Sequence, residues 1–112
     1  MANWRARMKL PEAADKAIRT KAAQDEVKLK TFVEGLMSEG LDRLVEAGAD
    51  HDFEIDGLIQ SNGGLPVVEY VIDDGLRRRV EPAAPLASGR GKQGKVMAEA
   101  LLLALKSRGI YG

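Results

Sequence analysis

The sequence predicts an α+β fold, and three observations predict it. Residues 4–10 alternate apolar and cationic side chains with a period of two, the pattern of a half-buried strand. Two longer stretches, about 12–25 and 30–47, carry apolar residues at a spacing of three to four, the pattern of helices. From residue 50 the period returns to two, broken by turn signals, before a last apolar stretch over 92–107. A chain of 112 residues makes one domain or two very small ones, and the change of period divides this one into 1–48 and 49–112.

In the first strand Trp4, Ala6, Met8 and Leu10 fall on one face and Arg5, Arg7 and Lys9 on the other. Pro11 ends the alternation and suits the first turn of a helix, where its missing N–H has no partner to lose. Glu12 and Asp15 set negative charge at the positive end of that helix, and Ala14, Ala17, Ile18 and Ala22 give it a face of small residues. Glu26 to Leu29 interrupt it. The second helix, 30–47, has an apolar face of Phe32, Val33, Leu36, Met37, Leu41, Leu44 and Val45, with Gly48 as its stop. Gly35 and Gly40 inside it each cost up to about 1 kcal/mol against alanine, or mark close packing on another backbone.

In the second half, Asp52, Glu54 and Asp56 alternate with Phe53 and Ile55 as a strand, and Ser61 to Gly64 read as a turn. Residues 65–72 are rich in valine and isoleucine and read as a second strand. Asp73, Asp74 and Gly75 suit a tight turn, and 76–82 read as a third strand. Pro82 to Pro85 make a linker. A helix over 92–107 follows, with Val96, Leu101, Leu102, Leu103 and Leu105 apolar and Gly109 as its stop. The expected second half is thus a small antiparallel meander with a C-terminal helix. No internal repeat is evident in the residues themselves.

Composition narrows the function. The chain is 45% hydrophobic but only 4% aromatic, so its core is aliphatic. It has no cysteine, hence no disulfide framework or thiolate metal site. It has no run of about 18 apolar residues, and no apolar segment follows the N-terminal charges, so the expectation is a cytoplasmic protein with no membrane partner. Seventeen basic and seventeen acidic residues balance, which argues against a general polyanion binder. The charges are clustered, however. Arg5, Arg7 and Lys9 stand in a segment with no acid, Arg77, Arg78 and Arg79 form a second cationic run, and Arg90, Lys92 and Lys95 a third.

A lone strand of about six residues is not stable, and about 48 residues are few for a core. No second strand lies close in sequence. The expected partner is therefore the same strand of a second chain, giving an intertwined dimer through strand 4–10, with Met8, Leu10, Phe32, Val33, Leu36 and Leu41 in the dimer core. Such a ribbon carries Arg5, Arg7 and Lys9 from each chain on one face. A two-stranded ribbon fits the major groove of B-DNA, where Arg and Lys read guanine O6 and N7.

On these residues, residues 3–48 resemble the ribbon-helix-helix family of DNA-binding repressors, the class of the Arc and methionine repressors. The resemblance rests on Arg5-x-Arg7-x-Lys9-Leu10-Pro11-Glu12 at the strand and first helix start, and on Val27 to Val33 at the second helix start. It implies that Arg5, Arg7 and Lys9 read bases. It also implies that Lys28, Lys30 and Thr31 hold a phosphate at the start of the second helix. This chain departs from the family in having Glu26 where a glycine often makes the inter-helix turn, and lysines where Ser, Thr or Asn often caps the second helix.

Other motifs are weaker. Gly89 to Val96 match G-x-x-x-x-G-K before a helix, but lack the preceding hydrophobic strand and the Ser or Thr that binds magnesium. The segment is read instead as a solvated basic linker or as further phosphate contacts through Arg90, Lys92 and Lys95. Asp52 to Gly57 begin like a calcium loop, but its twelfth position is Gly63 rather than glutamate. His51 is the single histidine and has no second ligand type nearby. Arg77, Arg78 and Arg79 read as a charge-guarded edge strand or a second polyanion contact. No metal, cofactor or catalytic residue is expected, and no enzyme.

The expected function is sequence-specific binding of double-stranded DNA as a homodimer or higher homo-oligomer, as a transcriptional repressor or autoregulator of phage, plasmid or toxin–antitoxin type. The alternatives are a DNA-binding accessory protein of plasmid transfer or partition, or an antitoxin-like module that holds a protein partner through 49–112.

Overall fold

In the computed structural model the described residues are 3–47, 66–83 and 93–111. In chain order they form strand β1 (Asn3–Lys9), helix α1 (Glu12–Gln24), helix α2 (Leu29–Ala47), strand β2 (Val67–Asp73), a 3-10 turn (Asp74–Leu76), helix α3 (Arg77–Ala83) and helix α4 (Gln93–Ser107). The strands pair antiparallel as one two-stranded sheet, and the fold is mixed α+β.

The strand expected to need a second chain finds its partner within this one. Trp4 pairs with Ile72, Ala6 with Tyr70 and Met8 with Val68, so the apolar faces of β1 and β2 coincide. A one-residue slip would turn every one of these side chains to the wrong face, which is what holds the register. The backbone N–H of Leu10 donates to the carbonyl of Pro66 and extends the pairing by one residue.

The first half otherwise follows its sequence pattern. Ala14, Ile18 and Ala22 make the buried stripe of α1, and Phe32, Val33, Leu36, Met37, Leu41 and Leu44 that of α2. Val45, expected on that stripe, is 61% exposed. Met8, Leu10, Phe32, Val33, Leu36 and Leu41, expected to close a dimer, are buried in the core of one chain. Between the helices Glu26 takes a left-handed φ of 55°. The N–H of Val27 donates to the carbonyl of Ala22 and that of Glu26 to Ala23, which closes the last turn of α1 in the geometry usually given to glycine. Gly109, with φ of 69°, ends α4 through the same pair of bonds, from Ile110 to Leu105 and from Gly109 to Lys106.

The expected third strand over 76–82 is instead a 3-10 turn running into α3. As a strand, the segment would place Arg78 on the same face as Leu76 and Val80. As a helix, it brings Leu76 and Val80, four residues apart, toward the core and leaves Arg77, Arg78 and Arg79 exposed. The arginine run is therefore a helix surface and not a guarded edge strand. Arg79 Nη1 donates to Ser38 Oγ at 2.6 Å and Nη2 to Asp42 Oδ1 at 2.5 Å, tying α3 to α2. The expected strand at 52–56, the turn at 61–64, Gly48, His51, Arg90 and Lys92 lie outside the described residues.

Helix α4 is buried over Val96 to Leu102 without a break, so it is the central helix rather than a surface one. It lies against α2, where Gly40 meets the backbone of Ala100 so closely that a Cβ at Gly40 would overlap the Ala100 carbonyl. Gly35, one turn earlier, is exposed and has nothing within 4 Å of its Cβ position.

The element order repeats: strand, helix, helix, and again strand, helix, helix. Val67 stands 64 positions after Asn3 (67 minus 3), Asp73 stands 64 after Lys9 (73 minus 9), and Gln93 stands 64 after Leu29 (93 minus 29). The central strand pair, Ala6 with Tyr70, has the same separation (70 minus 6), so each strand crosses its counterpart at equivalent residues. The second helices of the two halves, α2 and α4, pack on each other, and each also packs on the strand of the other half. The second half thus occupies, toward the first, the place that the sequence assigned to a second chain.

Candidate nucleic-acid interface

Alternation fixes what the ribbon shows outward. On β1 the outward positions are Asn3, Arg5, Arg7 and Lys9, all exposed. On β2 they are Val67, Glu69, Val71 and Asp73. The pairing sets Arg5 beside Val71, Arg7 beside Glu69 and Lys9 beside Val67. Arg7 Nε donates to Glu69 Oε1 at 3.1 Å, with 74% of the Arg7 side chain still exposed. That contact uses one of the five N–H donors of a guanidinium. Arg5 and Lys9 form no ion pair among the described residues.

The inward face holds the ribbon still. Tyr70, at its centre, is buried and donates its hydroxyl to Asp15 Oδ1 at 2.5 Å. Arg19 pairs with the same carboxylate at 3.1 Å and lies over the Tyr70 ring, 5.6 Å from its centroid. Burial first, then the Asp15 carboxylate, push the Tyr70 phenol well above the ordinary tyrosine range, with Arg19 opposing. Tyr70 therefore stays a donor and α1 stays fastened under the middle of the ribbon. At one end, Arg77 lies over the Trp4 ring at 5.7 Å.

A helix start stands at each end of the ribbon. Glu34, in the first turns of α2, accepts the backbone N–H of Asp73 at 2.6 Å and the Lys30 ammonium at 2.8 Å. Lys30 is thereby fixed beside the end of β2, with Lys28 and Thr31 exposed next to it. At the start of α4, Gly94 lies against β1, where a Cβ would stand 3.1 Å from the Arg7 carbonyl oxygen and 3.8 Å from Met8 Cα. Lys95 follows it, partly buried. Glycine at 94 is what lets this helix start approach the strand backbone.

Arg5, Arg7 and Lys9 thus come together on one face. Lys28, Lys30 and Thr31 stand apart from that face, at the ribbon's end. Of the third cationic cluster only Lys95 is described. Val67, Glu69 and Val71 share the face without having been expected there; residues 67–72 are apolar at every position but Glu69, so the strand register and not an alternation in the sequence places them. Among the described residues no group of three His, Asp or Glu side chains is placed to hold a metal ion, and no helix is long and apolar enough to cross a membrane. An open groove of about 600 Å³ lies between α1 and the end of α4, lined by Lys16, Thr20, Phe32 and Arg108 among others. Arg108 is already engaged there, over the Phe32 ring and paired with Glu39 at 3.0 Å. No family model matches this chain, and neither a curated protein nor a solved structure is significantly similar to it.

Proposed function

We propose that this protein binds double-stranded DNA by laying the outer face of the β1–β2 ribbon in the major groove, as a single-chain counterpart of a ribbon-helix-helix dimer. The observation that carries the reading is a cationic strand in a two-stranded ribbon flanked at both ends by helix starts. Strands about 4.8 Å apart make a ribbon that a groove about 12 Å wide admits. Arg5, Arg7 and Lys9 then face base edges. Lys28, Lys30 and Thr31 at one end, and Lys95 at the other, face the phosphates on either side. The action is occupancy: a transcriptional repressor or autoregulator of phage, plasmid or toxin–antitoxin type covers its own promoter. The same binding serves a plasmid-transfer or partition accessory protein, which a neighbouring relaxase or partition gene would distinguish.

The test is competition binding on a duplex selected from a random pool, against a random duplex. Arg7→Ala is expected to lose about 1–3 kcal/mol on the selected duplex and much less on the random one. Equal loss on both would make Arg7 a phosphate contact. Failure to enrich any duplex would remove the DNA reading.

A further inference from the structure

The fold repeats, but the surface it presents does not. At positions equivalent under the 64-residue offset, Arg5 answers to Glu69, Arg7 to Val71 and Lys9 to Asp73. Two of the four outward positions of β2 are valines, Val67 at 63% and Val71 at 42% exposed, on the same face as the three cations. Among the described residues every leucine, methionine and isoleucine is buried or half-buried, and few large apolar side chains stand out. Two of those few share the face that carries the cationic strand.

Resting on the DNA reading above, we infer that the two strands recognise different base chemistry, so that one chain reads one asymmetric site. The cations of β1 address guanine O6 and N7. Val67 and Val71 of β2 address thymine methyl groups, the one apolar feature a base pair shows in the major groove. Glu69, between the valines, braces Arg7 through its Nε. A homodimer of identical strands would read a palindrome. Arg5 stands beside Val71 on one side of the central Ala6–Tyr70 pair, and Lys9 beside Val67 on the other. A ribbon with one cationic and one valine-bearing strand therefore matches a site without two-fold symmetry, in which guanine and thymine contacts lie side by side.

The experiment begins with duplexes selected by the intact chain. The expected site is non-palindromic, with one chain per ribbon site by native mass measurement. Replacing its thymines by deoxyuridine removes only the methyl groups. Wild-type affinity should fall roughly fourfold for each contacted methyl, the worth of one buried methyl-sized group. The Val67→Ser/Val71→Ser variant, with its fold checked by circular dichroism, should bind the thymine duplex that much more weakly and be indifferent to deoxyuridine. If deoxyuridine leaves wild-type affinity unchanged while Arg7→Ala still destroys selectivity, the valine assignment is overturned and DNA binding stands. A palindromic site holding two chains across one ribbon overturns the asymmetry. If no duplex is enriched, both readings fall together.

Discussion

The two glycines of α2 should respond to the same substitution with opposite sign. Alanine is better than glycine inside a helix by roughly 0.8–1 kcal/mol, because it loses less backbone freedom on folding. At Gly35 nothing stands within 4 Å of the added Cβ, so Gly35→Ala should deliver most of that gain. At Gly40 the same atom would overlap the Ala100 carbonyl, which is backbone and cannot rotate away. Helices α2 and α4 must then move apart, and overpacking of this kind costs about 1–3 kcal/mol. After the propensity gain is subtracted, Gly40→Ala should be destabilising by up to about 2 kcal/mol. Urea titration followed by circular dichroism measures both, and a difference of about 1 kcal/mol corresponds to several degrees in Tm for a domain of this size. A Gly40→Ala variant as stable as Gly35→Ala would refute the close crossing. It would also remove the joint that holds the two helix starts at opposite ends of the ribbon.

Three further outcomes follow from single contacts. Glu26→Gly should stabilise by about 1 kcal/mol, since the left-handed φ of 55° is strained for any side chain, and a loss in the same titration would contradict that geometry. Tyr70 keeps its proton in the folded state to a pH above the ordinary value near 10, so its contribution is whole below that pH and is lost as pH rises through it. The stability difference between wild type and Tyr70→Phe should therefore be flat below about pH 9 and shift against wild type at higher pH; a flat difference to pH 11 would refute it. Because β1 is paired within its own chain, sedimentation at micromolar concentration should find a folded monomer, and obligatory dimers that unfold on dilution would show that the ribbon is built between chains.

Much of the first half was legible in the sequence because local rules agree there. The alternation of residues 4–10 is uninterrupted, Pro11 punctuates it, and the stripe of α2 keeps its spacing from Phe32 to Leu44. What the strand pairs with was not legible, because pairing between residues 58 to 70 positions apart leaves no local mark. Residues 67–72 are apolar at every position but Glu69, so their composition marks a strand without showing which strand it joins. Residues 76–82 are ambiguous in sequence because arginine and valine are compatible with both periods, and the choice rests on whether Arg78 faces the core or solvent. The internal repeat escaped for a related reason. The two halves share geometry at Ala6 and Tyr70, or at Leu29 and Gln93, while their side chains differ in size and charge. The site was half legible: the cations of β1 stand out in sequence, and the valines beside them need the register.

The arrangement also explains how a basic strand is tolerated in a chain of zero net charge. In an intertwined dimer of two such strands, six cations would crowd one face. Here the opposite strand brings Glu69 and Asp73, so the face carries three cations against two acids and folds without waiting for an anion. The cost is a weaker general pull toward polyphosphate, since each missing cation removes a counterion that binding would otherwise release. On the proposed DNA reading, such a ribbon would depend more on fit to base edges than on charge, and fit is what the intrachain pairing favours. Arg7 is held by Glu69, Tyr70 fastens the ribbon's centre to α1, and Glu34 fastens its end to α2. If the ribbon binds DNA as proposed, it would trade affinity for a preset geometry, which lowers the entropy lost on binding and leaves discrimination to the outward side chains.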